Sequence, residues 1–409
     1  MIYITGYLLS SFKIKGNNMS TSKKFGIVVY GATGYTGRLV CEYLNKQYGV
    51  NGDVNWAMAG RSQDKLVQVR DEMGIPSDVP FIIADAENPE SVKAMVESTQ
   101  VVLTTVGPYQ KYGSDLVRVC SETGTDYVDL CGEPAWMHEM IAAHSETAKA
   151  SGARIVFSCG FDSVPFDLGI HFLQNAAIEK LGKPLPRVKG RVRAMKGTFS
   201  GGTLESFRLT MKALAKTPEL IKVLTNPFSL TESFTGPTQP SGMAPIFDED
   251  LNSWSAPFVM ATINTKNIHR SNFLLAHRYG DDFVYDEMML TGAGEKGEAM
   301  AKMVAEDKSM ATDPMKPGEG PTKEARETGF YDVLFAGSNS NGDILMASVK
   351  GDKDPGYGST CKMISESAIC LLKNLDAASG GLWTPASAMG SLLIDRLQEN
   401  AGLTFQLEG

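Results

Sequence analysis

The chain lacks any long apolar run: no window approaches the roughly eighteen consecutive apolar residues that a membrane-crossing helix needs. Cysteine is sparse. Six are scattered through 409 residues without a CxxC spacing, which argues against a disulfide framework or thiolate metal site and leaves reduced thiols in a cytosolic setting as the simplest reading. Histidine is scarcer still, with five. His138 and His144 share a helix face only loosely, no His-Cys-carboxylate cluster has zinc spacing, and no metal is expected. Basic residues are outnumbered, giving a formal net charge of −8, and no basic stripe interleaves with aromatics, so nucleic acid is not an expected partner. What is present is a composition of 43% hydrophobic and 21% charged residues, that of a soluble globular chain with room for two or three domains.

The most informative stretch is Tyr30-Gly31-Ala32-Thr33-Gly34-Tyr35-Thr36-Gly37, which follows an apolar run over residues 25–29 and opens a helical pattern. In that context the glycines have separate tasks. Gly31 permits a tight turn, Gly34 admits a pyrophosphate against the backbone, and Gly37 lets the helix pack on the strand. The helix start, with Thr33, Tyr35 and Thr36 beside the glycines, then offers unpaired N–H groups to phosphates.

Strand-like runs recur near residues 54–59, 81–84, 101–106, 127–128 and 154–158, separated by helical patterns. Short connections between such units imply an α/β fold: a Rossmann-like doubly wound parallel sheet. Past Gly160 the rhythm changes. A strand near residues 188–194, a helix near 203–215, a loop-like stretch over 226–250 and two strands flanking a polar turn near 331–349 suggest an inserted α+β second domain. The expected division is a leader over residues 1–23, a dinucleotide-binding domain over 24–162, a substrate or dimerisation domain over 163–354, and C-terminal helices over 355–409 returning to the first domain. Residues 1–18 read as an upstream extension, with Met19 opening the polar stretch that leads to the first strand.

The tip of the second strand addresses cofactor choice. A site for the unphosphorylated dinucleotide usually places Asp or Glu there, to accept from the adenosine ribose. This chain has Ala59-Gly60-Arg61-Ser62 instead. Arg61 can meet a 2′-phosphate with a forked guanidinium and Ser62 can donate once more, so NADP(H) is expected over NAD(H). Asp85 either approaches the adenine side or caps a helix before Pro89. After the fourth strand, Gly107 leaves space for the dinucleotide and Pro108 stiffens the exit. Tyr109 either faces a nicotinamide or packs on the domain face.

Candidate chemistry lies in two further loops. Asp129-Leu130-Cys131-Gly132-Glu133 follows the fifth strand, at the end of the sheet that lines ligand crevices. Asp129 and Glu133 either position a substrate and relay a proton, or bond to loop N–H groups; Cys131 reads as a small buried thiol. In Gly160-Phe161-Asp162-Ser163-Val164-Pro165, Asp162 or Ser163 can cap the next helix, and the same turn can shape the site. Lys196, after Arg191 and Arg193, either donates a proton or stays solvated.

Taken together, these motifs resemble the saccharopine dehydrogenase-like oxidoreductases, in the branch containing animal saccharopine dehydrogenase-like proteins and mycobacterial trans-acting enoyl reductases. The glycine loop, Ala59–Ser62, Val106-Gly107-Pro108-Tyr109, residues 127–133, residues 159–169 and Gly380-Gly381-Leu382-Trp383-Thr384-Pro385-Ala386 carry the likeness. It implies two domains, a homodimer, and an NADPH-dependent oxidoreductase acting on a lipid-like or acyl (enoyl) substrate. Two alternatives remain: a reductase or dehydrogenase of an imine or amino-acid adduct, and a cofactor-bound protein without turnover. Apolar stretches near residues 220–230, 258–263, 382–383 and 389–393 suit a lipid-like substrate, but equally suit core packing or a dimer interface. The expected setting is cytoplasmic, with peripheral contact to the inner face of a membrane as an added option.

Overall fold

The computed structural model describes residues 23–50, 52–374 and 378–409, so the expected leader lies outside the described residues except for Lys23. The first half alternates strands and helices. It runs β1 (Phe25–Tyr30), α1 (Tyr35–Tyr48), β2 (Trp56–Gly60), α2 (Gln63–Glu72), β3 (Phe81–Ile83), α3 (Pro89–Glu97) and β4 (Thr99–Thr104). It continues with α4 (Tyr109–Tyr112), α5 (Ser114–Thr123), β5 (Asp126–Val128), α6 (Pro134–Ser151), β6 (Arg154–Val156) and α7 (Val164–Leu181). All six residues of β1 are buried, as a parallel strand covered on both faces requires. With a late strand, β13 (Gly381–Trp383), at one edge, the sheet order is β13-β6-β5-β4-β1-β2-β3, every pair parallel. The strand order reverses beside β1, and the crevice there is where such folds bind ligands.

The second half opens with β7 (Arg187–Lys196), α8 (Gly201–Lys216), α9 (Leu220–Thr225), β8 (Ile246–Asp248), β9 (Ser253–Pro257) and α10 (Ala261–Leu274). Next come β10 (Val284–Gly292), α11 (Gly294–Glu306), α12 (Ser309–Thr312), α13 (Lys323–Glu327), β11 (Phe330–Ser338) and β12 (Ile344–Gly351). With the last strand, β14 (Leu403–Glu408), at one edge, its mixed sheet has the order β14-β12-β11-β7-β10-β9-β8, with β7 and β10 parallel and the other pairs antiparallel. The stretch over residues 226–250 is not all loop, because Ile246–Asp248 pairs with β9 as an edge strand. One face of the sheet packs on α7 and α10, where Phe166 meets Phe258 and Phe335.

After β12 a π-helical turn (Pro355–Ser359) leads into α14 (Thr360–Lys373), then β13 (Gly381–Trp383), α15 (Pro385–Ala388), α16 (Gly390–Arg396) and β14 (Leu403–Glu408). α14 packs against α1, β1 and β4. Its fully buried Glu366 accepts hydrogen bonds from Tyr43 and Tyr48 of α1 and from Arg396. Arg154, at the start of β6, donates to Asp126 of β5 and to the carbonyls of Leu371 and Asn374 at the end of α14. The last segment divides: β13 extends the parallel sheet, while β14 pairs with β12 in the mixed one.

Candidate active site at the carboxyl ends of the parallel sheet

The turn after β1 is built on glycine geometry. Gly31 has φ of +90°, which side-chain-bearing residues rarely adopt, and a Cβ on Gly37 would sit 2.1 Å from the Gly31 carbonyl oxygen. Only glycine therefore lets α1 begin against the loop. Gly34 is the N-cap of α1; the helix has no side-chain cap and no acidic residue in its first turn. By contrast α2 and α3 are capped by Ser62 and Asn88 and carry Asp64 and Glu90 in their first turns. The N–H groups and partial positive charge at the start of α1 are left for an external anion. The residues present fit a dinucleotide pyrophosphate.

Tyr35 and Thr36 occupy that first turn. The Tyr35 hydroxyl donates to the Pro321 carbonyl and accepts from Arg326 Nη1 at 2.8 Å, so a strap of the second half lies over the loop. The Thr33 carbonyl is approached by Arg38 Nη2 at 3.5 Å.

At the adenosine end, Arg61 is exposed and joins no ion pair among the described residues. Ser62 is partly committed, since its Oγ accepts from Lys65 N at 3.4 Å. The Asp85 carboxylate accepts from Glu87 N at 3.1 Å, an Asx turn rather than a helix cap; Asn88 caps α3. Both charges reach the Tyr30 hydroxyl. Burial pushes its pKa up to about 12, with Asp85 adding to the shift and Arg61 opposing it. Arg61 and Asp85 thus converge at the tips of β1, β2 and β3.

At the other end of the crevice lie the loops after β4, β5 and β6. Gly107 precedes Pro108 through a cis peptide, and α4 follows. Tyr109, read from the sequence as either facing a nicotinamide or packing on the domain face, is turned inward. Its ring packs on Trp136, centroids 5.6 Å apart, while its hydroxyl accepts from Leu130 N at 3.0 Å. Glu133 accepts from Tyr109 N at 3.0 Å, Gln110 N at 2.9 Å and Ser206 Oγ at 3.0 Å, so its carboxylate caps α4 and tethers α8. Asp129, also buried, accepts from Tyr127 Oη, Cys131 N and Ser158 N at 2.8–2.9 Å. Burial lifts Asp129 to about 7, against the pull of these bonds. Both carboxylates hold loops together. Burial pushes the Cys131 thiol well above its ordinary value, which leaves it protonated.

Asp162 differs from these. Ser163 is the N-cap of α7, but it makes no capping bond; its hydroxyl is shared with Asn264 and Asn267 of α10. Nor does Asp162 cap the helix. It is half-buried, and no hydrogen bond or ion pair reaches its carboxylate among the described residues. Burial alone raises it to about 6. Across from it, a Cβ on Gly132 would lie 3.3 Å from Oδ2, so the glycine keeps the approach open.

The structure adds Tyr357, which sequence reasoning missed. Its ring meets Tyr35 edge-on at 5.1 Å and its hydroxyl is held by Ser200 N and by Thr203 Oγ1 at 3.0 Å. The charge of Asp162 is among the influences on that phenol, which burial pushes to about 12. The signal was the punctuated Asp354-Pro355-Gly356-Tyr357-Gly358, where Asp354 accepts from Tyr357 N and Gly358 N to form the turn. Lys196 is not drawn into this group. It remains exposed at the end of β7, with Nζ donating to Thr328 Oγ1 at 3.0 Å.

The cleft is therefore bounded by the glycine loop, the loops after β4, β5 and β6, the Tyr357 turn, and α8. Comparison with known proteins agrees with that geometry. Residues 27–156 match the model of the saccharopine dehydrogenase NADP binding domain. A Mycobacterium tuberculosis (strain ATCC 25618 / H37Rv) protein named for trans-acting enoyl reduction is 37% identical over 415 residues, spanning 95% of this chain and 98% of its own. The trans-acting enoyl reductase of Mycobacterium leprae (strain TN) is 35% identical, over 93% of this chain and 97% of its own. Among solved structures, apo saccharopine dehydrogenase (L-Glu forming) from Saccharomyces cerevisiae shares the fold, with a TM-score of 0.53, 11% identity, and coverage of 94% of this chain and 100% of that one. The site binds NADP(H) and the protein is an oxidoreductase. The chain belongs to the saccharopine dehydrogenase-like family, together with the trans-acting enoyl reductases.

Proposed function

We propose that the protein uses NADPH to reduce the carbon–carbon double bond of an enoyl thioester whose acyl chain lies along α8 and α9. The observation that carries this reading is the likeness to enoyl reductases over 95% of the chain. Those relatives are named as trans-acting, and the same reading here has the thioester arriving on a separate protein. Local features support it. α8 lines the cleft through Thr203, Ser206 and Thr210, which bond to Tyr357, Glu133 and Gln110. Farther along, Met211 is 51% exposed and Ile221 of α9 is 49% exposed; no residue of α9 is buried. Apolar side chains held in water beside a site suit an apolar ligand.

NADPH, when bound, supplies the hydride. The chain's own contribution is to seat the pyrophosphate on the start of α1, meet the 2′-phosphate with Arg61, and hold the acceptor in reach, since hydride transfer depends on positioning. The test is the loss of NADPH absorbance in the near ultraviolet with a panel of enoyl thioesters of rising chain length, set beside imines and amino-acid/keto-acid pairs. Reduction of the thioesters, improving with chain length, is the expected result. Turnover confined to imines or amino-acid adducts would overturn the substrate assignment.

A further inference from the structure

We propose that Asp162 is the proton donor of this reduction, presented by the turn between β6 and α7 to the carbon beside the thioester carbonyl. The inference rests on the enoyl reading above and names the residue that completes it.

The turn is fixed ahead of Asp162 by two bonds and beyond it by the Ser163 hydroxyl, which is shared with Asn264 and Asn267. Ser158 Oγ donates to the Cys131 carbonyl at 2.6 Å, and Phe161 N donates to Thr360 Oγ1 at 2.9 Å. Phe161 and Ser163 are buried, while Asp162 between them is only half-buried, at the carboxyl end of the parallel sheet. The other acids there are spent: Asp129 and Glu133 each accept three hydrogen bonds from protein donors. The Tyr109 hydroxyl serves the Leu130 amide, and the Cys131 thiol is buried. Among the described residues of the cleft, Asp162 alone combines a transferable proton with unshared oxygens. The titratable groups facing it are Tyr357 from the π-helical turn and Cys131 from the loop after β5. Burial holds both in their neutral forms near pH 7, so neither sets a charge beside the carboxylate.

The chemistry balances. The bound cofactor would supply a hydride to the β-carbon of the enoyl group, and the electron pair of the double bond would pass to the α-carbon and thioester oxygen as an enolate. The Asp162 O–H bond then breaks as the α-carbon–hydrogen bond forms. The products are the saturated thioester and oxidised cofactor, and water returns a proton to Asp162. With its acid raised to about 6, a useful fraction is protonated near neutrality, and an acyl chain covering the group raises it further.

The experiment compares wild type, Asp162→Asn and Asp162→Glu in NADPH-dependent reduction of an enoyl thioester across pH, with NADPH affinity and melting temperature recorded alongside. Asp162→Asn is expected to lower kcat by about a hundred- to ten-thousandfold while NADPH affinity and melting temperature hold, because proton donation of this kind contributes that much. Wild-type kcat/KM should fall as pH rises through the Asp162 titration; Asp162→Glu should keep that limb and Asp162→Asn should lose it. Wild-type turnover and an intact limb in Asp162→Asn would overturn the proposal while leaving the enoyl reading standing. So would a loss of NADPH affinity that accounts for the whole effect. A wild type inert toward every thioester but active on another panel member would overturn both.

Discussion

The two sheets handle charge in opposite ways. The central strands β1 and β2 of the parallel sheet are apolar and buried; one ion pair, Arg154 with Asp126, joins β6 to β5, and the remaining polar chemistry gathers in the loops at the carboxyl ends. The mixed sheet carries charge within a strand: Arg187, Lys189, Arg191 and Arg193 alternate along β7 onto one face. There Asp286, Asp248, Asp250, Asp332 and Glu408 meet them from neighbouring strands and loops. A sheet closed by apolar packing leaves its loop ends free for ligands. A sheet knitted by ion pairs uses its charges up. The two charged groups of the candidate site that are unpaired among the described residues, Arg61 and Asp162, accordingly lie at the ends of the first sheet.

That contrast can be broken most severely at Gly37. Gly37→Val places side-chain atoms where the Gly31 carbonyl already stands, and NADPH affinity should drop by about a thousandfold or more, roughly 4 kcal/mol. Fluorescence titration measures it, and a wild-type affinity would show that the loop can yield. Next is Arg191→Met in the second sheet. Arg191 bonds Asp248 at 3.1 Å and Asp286 at 2.8 Å in a buried setting, and stranding those carboxylates should cost about 3 kcal/mol in urea unfolding. The better-hydrated Arg193→Met should cost no more than about 1 kcal/mol. Equal losses would mean that burial does not grade the ladder.

Arg61→Ala should weaken NADPH binding by about ten- to a hundredfold, leaving NADH binding and stability unchanged. Retained discrimination between the cofactors in parallel titrations would remove Arg61 from that role. The smallest effect belongs to pH. Glu287 is fully buried beneath α10, bonded to Asn264 and Tyr285, and burial raises it to about 8 from an ordinary 4.5. The folded state thus holds a proton that the unfolded state releases between those values. Its contribution to stability is complete below about 4.5 and is lost as pH climbs through 8. Glu287→Gln should therefore flatten the decline by up to about 1.4 kcal/mol per pH unit, visible as a melting-temperature gain at alkaline pH only. Parallel pH profiles for variant and wild type would reject that account.

Much of the parallel sheet was legible because burial on both faces leaves a plain apolar signature, as in Val101-Val102-Leu103. Other parts were hidden for definable reasons. α10 buries Asn264, Lys266, Asn267, His269 and Arg270, so it has no apolar stripe to detect; hydrogen bonds to α7, to β10 and to the carbonyls of Leu224 and Leu230 satisfy much of it instead. β13 has three residues, too few for a period, and becomes a strand only because β6 offers an edge. At the site, residue types pointed correctly to loops but could not separate a carboxylate spent on N–H groups, such as Glu133, from one left open, such as Asp162. That distinction depends on which backbone donors the fold brings near, and the donors to Glu133 come from α8 as well as from the neighbouring loop. Tyr357 was obscured in the same way, since its neighbours lie more than a hundred residues away in the chain.

The division of the C-terminal segment between two sheets bears on how the molecule can be taken apart. Residues 27–156 look like a detachable module on paper, yet their sheet is completed by Gly381–Trp383 and their helix α1 is bolted to Glu366 and Arg396. Beyond two short helices the same stretch supplies the outer strand of the other sheet. A cut near residue 374 would therefore strip an edge from each half at once. The two halves are separate architectures but a single object to a protease or an expression vector, and fragments ended at either domain border should aggregate more readily than the whole chain, because each exposes a sheet edge.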